Sequence, residues 1–177
     1  MSFSDKINPF LVDMNNCLKN GQNNAALFIA LALPDICSST DMPRFGKTVK
    51  KRYTKWIDEY FIKQNGYDQN VTMSSTDVYL LRCAYLHSGV DKIIQKDVNA
   101  IIEKFVFVFS PSKIITAHRN SIINNGIATM QLDTHEFCRE IEKSVNLFIE
   151  DSIDNKIVED NSKNILHVQN IDNGFIF

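Results

Sequence analysis

Residues 25–33 of the 177-residue chain read AALFIALAL, without a polar side chain, and Pro34 and Asp35 follow at once. A run of this length cannot cross a bilayer, which needs roughly 20 apolar residues. A helix apolar on every side must instead be wrapped by other elements. The segment NNAALFIALALPDICSS therefore reads as a central buried helix, opened by an Asn cap. Pro34 is expected to bend or end it and leave Asp35 at the edge of the core.

Helical patterns to surround it lie on both sides. Phe10, Leu11, Met14, Cys17 and Leu18 recur at helical spacing behind Pro9, which suits a first helical turn, and Gly21 ends the pattern. In TVKKRYTKWIDEYFIKQNG the stripe is Val49, Tyr53, Trp56, Ile57 and Tyr60, closed by Gly66. SSTDVYLLRCAYLHSG starts with Ser74 and Asp77 at capping-box spacing and stops at Gly89, with Val78, Leu81 and Tyr85 facing inward. DTHEFCREIEKSVNLFIEDS is framed at its start by Asp133 and Glu136 and buries Phe137, Ile141, Val145, Phe148 and Ile149.

Residues 90–103 read as a short helix or a helix-to-strand transition. FVFVF (105–109), IITAH (114–118) and IATMQL (127–132) are rich in strand formers. The expected fold is mainly α: one domain over residues 1–151, an up-and-down helical bundle with a small β-hairpin insertion at about 104–132, before the last helix. Residues 152–177 are expected as a polar tail that is an edge strand, a partner-binding segment or mobile.

The formal net charge of -2 argues against a protein that coats nucleic acid through its overall charge. That average hides a polarity. Arg44, Lys47, Lys50, Lys51, Arg52 and Lys55 follow one another with no acidic residue between them, whereas residues 133–160 are mostly acidic. Lys47, Lys50, Lys51, Arg52 and Lys55 are candidate phosphate contacts. Cys17, Cys37, Cys83 and Cys138 are scattered and form no C-x-x-C pair. Free thiols in a reducing cytoplasm are the expectation, with no metal site. MSFSDKINPF lacks the basic start and apolar core of a signal peptide.

No P-loop, dinucleotide fingerprint, nucleophile elbow or zinc-protease motif occurs. The chemistry-bearing pattern that remains is Arg82 and, five residues on, His87, followed by Ser88 and Gly89 at a helix end. Arginine grips phosphate through a permanently charged fork, and histidine moves protons near neutral pH. Five residues at 100° each put the two about 140° around a straight helix. One phosphate then reaches both only if the last turn distorts or a second copy of the helix completes the site. Asp35 is a candidate ion partner of Arg82, Tyr79 could steady the guanidinium, and His118 is a candidate second proton carrier. Cys83 and Cys138 read as small core hydrophobes, and Trp56 as core.

This pattern resembles the HEPN superfamily, whose members carry an Arg, four to six residues and a His at the end of a helix in a small helical bundle. ALFIALALPDIC, KRYTKWIDEYF, VYLLRCAYLHSG and LDTHEFCREI together look like small bacterial HEPN-like proteins up to about Asp151. The resemblance implies a metal- and cofactor-independent endoribonuclease acting as a homodimer, with Arg82 and His87 catalytic, Ser88 and Cys83 beside them, and a toxin or phage-defence role. Family members often carry a polar residue directly after the Arg, where this chain has Cys83. The alternative is a non-catalytic HEPN-like module for dimerisation, nucleotide or partner binding. A third reading is an antitoxin-like protein whose tail holds a protein partner.

Overall fold

The computed structural model describes residues 2–66, 73–93, 100–111 and 117–168. The protein is mainly helical with one small sheet. In chain order the elements are α1 (Phe3–Lys19), α2 (Asn23–Thr40), α3 (Met42–Phe45) and α4 (Val49–Trp56). A π-helical segment (Ile57–Ile62) and a final turn α5 (Lys63–Asn65) continue α4. Then come α6 (Ser75–Ser88), β1 (Lys104–Val108), β2 (Asn120–Asn124), β3 (Ile127–Asp133), α7 (Thr134–Asp151) and α8 (Lys156–Ser162).

Helix α2 is central, packed by α1, α3, α4, α6, α7 and α8. It buries Ala26, Leu27, Ala30, Leu31, Leu33, Pro34 and Cys37, but the burial is not complete. Phe28 remains 42% exposed, its ring 4.9 Å from that of Tyr85 on α6. Pro34 does not end α2, which runs on to Thr40, and the residue before the helix is Gln22 without a side-chain cap rather than an Asn cap. Proline inside a helix removes one N–H. The carbonyl that loses its donor is that of Ala30; the buried Tyr53 hydroxyl donates to the adjacent Leu31 carbonyl at 3.1 Å, so α4 braces that turn.

Pro9 likewise lies inside α1 and not in its first turn. The helix starts at Phe3 because Ser2 and Asp5 form a capping box, and Pro9 is exposed, so water can serve the carbonyl it leaves unpaired. Segment 49–65 is helical as expected and ends at Gly66, whose φ of 68° is the left-handed conformation that glycine adopts freely. Its widened middle turn buries Ile57, Tyr60, Phe61 and Ile62 together.

The aromatic centre is built on Phe148 of α7, with ring centroids at 5.4 Å to Phe3, 5.9 Å to Phe45, 6.2 Å to Trp56 and 5.3 Å to Tyr60. Trp56 is fully buried, as its stripe implied.

Helix α6 begins at the Ser74–Asp77 capping box, and Asp77 does more than cap. It is fully buried. Its Oδ2 accepts from the Ser74 amide and hydroxyl, both at 2.7 Å, and its Oδ1 accepts from the amides of Ile101 and Ile102 at 2.7 and 2.8 Å. One carboxylate thus joins the start of α6 to the chain entering the sheet.

That sheet has the order β1-β3-β2. The β2–β3 hairpin turns at Asn125 and Gly126, both with positive φ, as a tight two-residue turn requires. β1 then adds in parallel to β3, which a simple hairpin insertion did not anticipate. β2 lies between two of the expected strands, over residues to which the sequence pattern assigned no strand. In the expected IITAH strand, residues 114–116 lie outside the described residues, and 117–118 are not strand. Residues 94–99 and the end of the tail, 169–177, also lie outside them.

Asp133 ends β3 and caps α7 by accepting from the Glu136 amide at 3.0 Å. Beyond Ser152 the polar tail is corrected in part: Asn155 caps α8, Val158 and Ser162 are buried, and Asn161 Nδ2 donates to the Thr40 carbonyl at 2.9 Å. No described helix is long and apolar enough to cross a membrane.

Truncating Phe148 to Ala is expected to lower unfolding free energy by about 3–5 kcal/mol, read from denaturant midpoints at constant slope. Burial raises the thiol pKa of Cys138 from 9.0 to about 12 and pushes Cys37 and Tyr53 up as well. These groups stay neutral in the folded chain and ionise in the unfolded one. Their contribution is therefore intact below about pH 9 and declines as pH rises through the alkaline range. Thermal midpoints measured from pH 7 to 10.5 should fall only over the upper part of that series.

Candidate functional site

Three helices converge on Asp35, one residue past Pro34. Its Oδ2 accepts from Arg82 Nη2 of α6 at 2.6 Å and its Oδ1 from Arg52 Nη2 of α4 at 3.2 Å. Arg82 Nη1 in turn lies 3.1 Å from His87 Nε2. The result is a continuous chain, Arg52–Asp35–Arg82–His87, running from the packed edge of α2 to the exposed end of α6. The side chains of Asp35, Arg52 and Arg82 are 16–17% exposed, whereas His87 is exposed.

The juxtaposition of Arg82 and His87 corrects the expectation from helical phase. α6 is regular to Ser88, and both residues belong to one chain. The 140° between their Cα positions is overcome by side-chain length: Asp35 draws the Arg82 guanidinium to where its second nitrogen meets the imidazole. Arginine has no acceptor, so the hydrogen bond requires Nε2 to carry the lone pair and, in the neutral ring, Nδ1 to carry the proton.

Two guanidiniums share one carboxylate, so the cluster keeps a net positive charge. Burial opposes the charge on Arg82, and Asp35, Cys83 and Tyr53 together outweigh it, leaving its pKa raised. Tyr53 lies beneath, its pKa held well above the usual phenol value, first by burial and next by Asp35. Its ring stands edge-on to Tyr79 at 5.7 Å. Tyr79, half-buried, also has a raised pKa, from burial and then from its hydrogen bond with Cys83. Tyr79, Cys83, His87 and Ser88 line an open cleft of about 430 Å³ with Leu80, Ala84, Val90 and Ile93. Cys83 is thus a half-exposed cleft residue and not a core hydrophobe, while Cys138 is buried as expected.

Of the five expected phosphate contacts, Arg52 alone joins this cluster. Lys47 and Lys50 are exposed. The Lys51 stem lies against Gly46, and Lys55 Nζ donates to the Arg44 carbonyl at 2.5 Å. His118 belongs elsewhere: its Nδ1 accepts from the Asp133 amide at 3.1 Å and its Nε2 is 3.3 Å from Glu140 Oε2. Sequence reasoning missed Tyr53 as part of the site and the sharing of Asp35 by two arginines, because neither is local in the chain. Among the described residues no group of three or more His, Cys, Asp or Glu could hold a metal ion.

No protein-family model, curated protein or solved structure matches the chain.

Replacing Asp35 with Ala leaves two partly buried guanidiniums uncompensated and is expected to destabilise the fold by about 1–3 kcal/mol. In a cycle with Arg82→Ala the two effects should fall short of additive, because they remove one interaction. Titration with a thiol reagent under native conditions should modify the half-exposed Cys17 and Cys83, while Cys37 and Cys138 react only after denaturation.

Proposed function

We propose that the chain is a HEPN-type, metal-independent endoribonuclease that works as a homodimer in the cytoplasm. The observation that carries this reading is the 3.1 Å approach of Arg82 Nη1 to His87 Nε2 at a solvent-exposed helix end. It pairs a fixed phosphate-binding cation with a proton acceptor at one point, as attack of a ribose 2′-hydroxyl on its neighbouring phosphate needs. The exposed lysines of α4 and the segment before it support contact with RNA backbone.

In this reading a phosphate oxygen takes over the Arg82 Nη1–H, and the Nε2 lone pair is released. His87 then accepts the 2′-hydroxyl proton as the 2′-oxygen-to-phosphorus bond forms and the bond to the 5′-oxygen breaks. Arg82, still held by Asp35, stabilises the charge developing on the phosphoryl oxygens. The leaving 5′-oxygen takes its proton from water or from the partner's protonated His87. The products are a 2′,3′-cyclic phosphate and a 5′-hydroxyl end. A toxin or phage-defence role, held in check by an antitoxin-like partner, fits such an activity.

A second reading, a non-catalytic HEPN-like dimerisation or binding module, is favoured by two specific observations. Asp35 already neutralises much of the Arg82 charge, and Cys83 stands where a polar residue often follows the Arg.

Incubation of the purified protein with RNA in EDTA separates the two. The nuclease reading expects cleavage that leaves 5′-hydroxyl ends, with His87→Ala and Arg82→Ala each reducing the rate by about 100-fold or more. Cleavage indifferent to His87→Ala, or no cleavage at any protein concentration, removes the enzyme assignment and leaves the binding module.

A further inference from the structure

The sheet order β1-β3-β2 leaves two edges. At the β1 edge the chain covers itself: Lys92 bridges to Lys104, the Ile93 amide donates to the Glu103 carbonyl and the Phe105 amide to the Asp91 carbonyl, both at 2.9 Å. β2 forms the other edge, and no backbone group among the described residues bonds to its outer side. Edges in soluble proteins are usually blunted by charge, proline or a bulge. Asn120–Asn124, NSIIN, has no charged residue and no proline, and its register with β3 is unbroken. Ile122 is 54% exposed and Ile123 76% exposed, one on each face of the sheet.

The turn at Asn125 and Gly126 fixes which backbone groups of β2 are open. In a two-residue hairpin the closing pair, here Asn124 and Ile127, exchanges hydrogen bonds, and bonding alternates from there. Asn120, Ile122 and Asn124 therefore direct their N–H and C=O groups to β3, while Ser121 and Ile123 direct theirs outward. Positive φ brackets the strand, 63° at Arg119 and 50° at Asn125, so neither residue can extend a ladder. The outward groups are thus disposed symmetrically about Ile122, midway between the brackets. A second copy of β2, run antiparallel, matches them group for group.

We propose that β2 is the docking edge for a second copy of this chain, two β2 strands pairing antiparallel about Ile122. Ser121 then stands opposite the partner's Ile123 in a hydrogen-bonded pair, and Ile123 opposite the partner's Ser121, so every outward group of both strands is used. Moving the axis to Ser121 or to Ile123 keeps only one such pair, because the next residue in register is Arg119 or Asn125 in its left-handed conformation. On the axis Ile122 faces the partner's Ile122 with Cα atoms about 4.5 Å apart. On the other face the two Ile123 side chains are diagonal neighbours at about 7–8 Å.

Charge favours the second copy as occupant. Residues near a two-fold axis meet their own kind, so a charge in β2 would face itself, and β2 has none. Arg119 beside it engages Glu140 and falls opposite the partner's Asn125. A five-residue edge is smaller than the roughly 800 Å² per partner of a standard interface, so the expected dimer is weak and reversible. The inference concerns the sheet and stands whether or not the Arg82–His87 site is catalytic.

Sedimentation velocity of the full-length protein across a concentration series tests it. A monomer–dimer equilibrium is expected, kept by Ile122→Val and weakened about tenfold or more by Ile122→Lys and by Ile122→Glu, each of which sets like charges opposite one another. Mixing Ile122→Lys with Ile122→Glu brings opposite charges together and should restore association. Thermal midpoints at the lowest concentration, equal to that of the unsubstituted chain, establish that the variants fold. Register is read by oxidative cross-linking: Ile122→Cys should form an intermolecular disulfide well above the background of the native cysteines, whereas Ser121→Cys, opposite the partner's Ile123, should not. The proposal is overturned if the chain stays monomeric at every concentration, which leaves a strand of another protein as the occupant of the edge. It is equally overturned if a dimer survives both charged substitutions, or if Ser121→Cys cross-links in preference to Ile122→Cys.

Discussion

Because α2 has almost no polar side chain between its first turn and Pro34, every other long helix must give it an apolar surface, and the packing of the molecule follows from that demand. α1, α4, α6, α7 and the short α8 all meet it. The same demand carries α4 and α6 to the one place where α2 stops being apolar. Asp35 appears there, held near the surface by the turn after Pro34, and the two arginines are the means of keeping its charge in a largely desolvated position. Tyr53, reaching the Leu31 carbonyl, braces the turn next to the Ala30 carbonyl that Pro34 leaves without its helical donor.

The arginine cluster is therefore structural and chemical at once. A carboxylate that is mostly buried is costly unless paired, and pairing it with Arg52 and Arg82 meets that cost. It also fixes the direction of the Arg82 guanidinium and so its approach to His87. A long, flexible side chain would otherwise lose conformational entropy in holding a partner five residues away. Asp35 is in this sense the residue through which the fold acts on the helix end, although it lies 47 positions from Arg82 in the chain.

Local signals were read well wherever the physics is local. The Ser74–Asp77 box, the Gly89 and Gly66 stops, the Asp133 start of α7 and the burial of Trp56 all depend on residues within a turn or two of one another. Pro9 does not open its helix and Pro34 does not end its own, for a physical reason. A proline tolerates a helix interior when the freed carbonyl meets water, as at Pro9, or when the neighbouring turn is braced, as at Pro34 by Tyr53, and that brace comes from another element. The parallel pairing of β1 with β3, the docking of α8 and the contact between Arg82 and His87 were likewise invisible to spacing arguments.

What the amino-acid order determined by itself was the inventory: a central apolar helix, amphipathic helices to cover it, a short β region, an Arg and a His near one capped helix end, and opposite charge in two stretches. Tertiary structure alone decided which charges meet. Arg52, read as one more surface cation, became the second clamp on Asp35, and His118 was drawn to Asp133 and Glu140 instead of His87. In the acidic stretch 133–160, Glu140 drew in Arg119 from the start of β2. Periodicity specifies the face on which a side chain leaves its own helix. The end point of a long charged side chain depends on where the nearest opposite charge sits in space, and that charge usually belongs to another element.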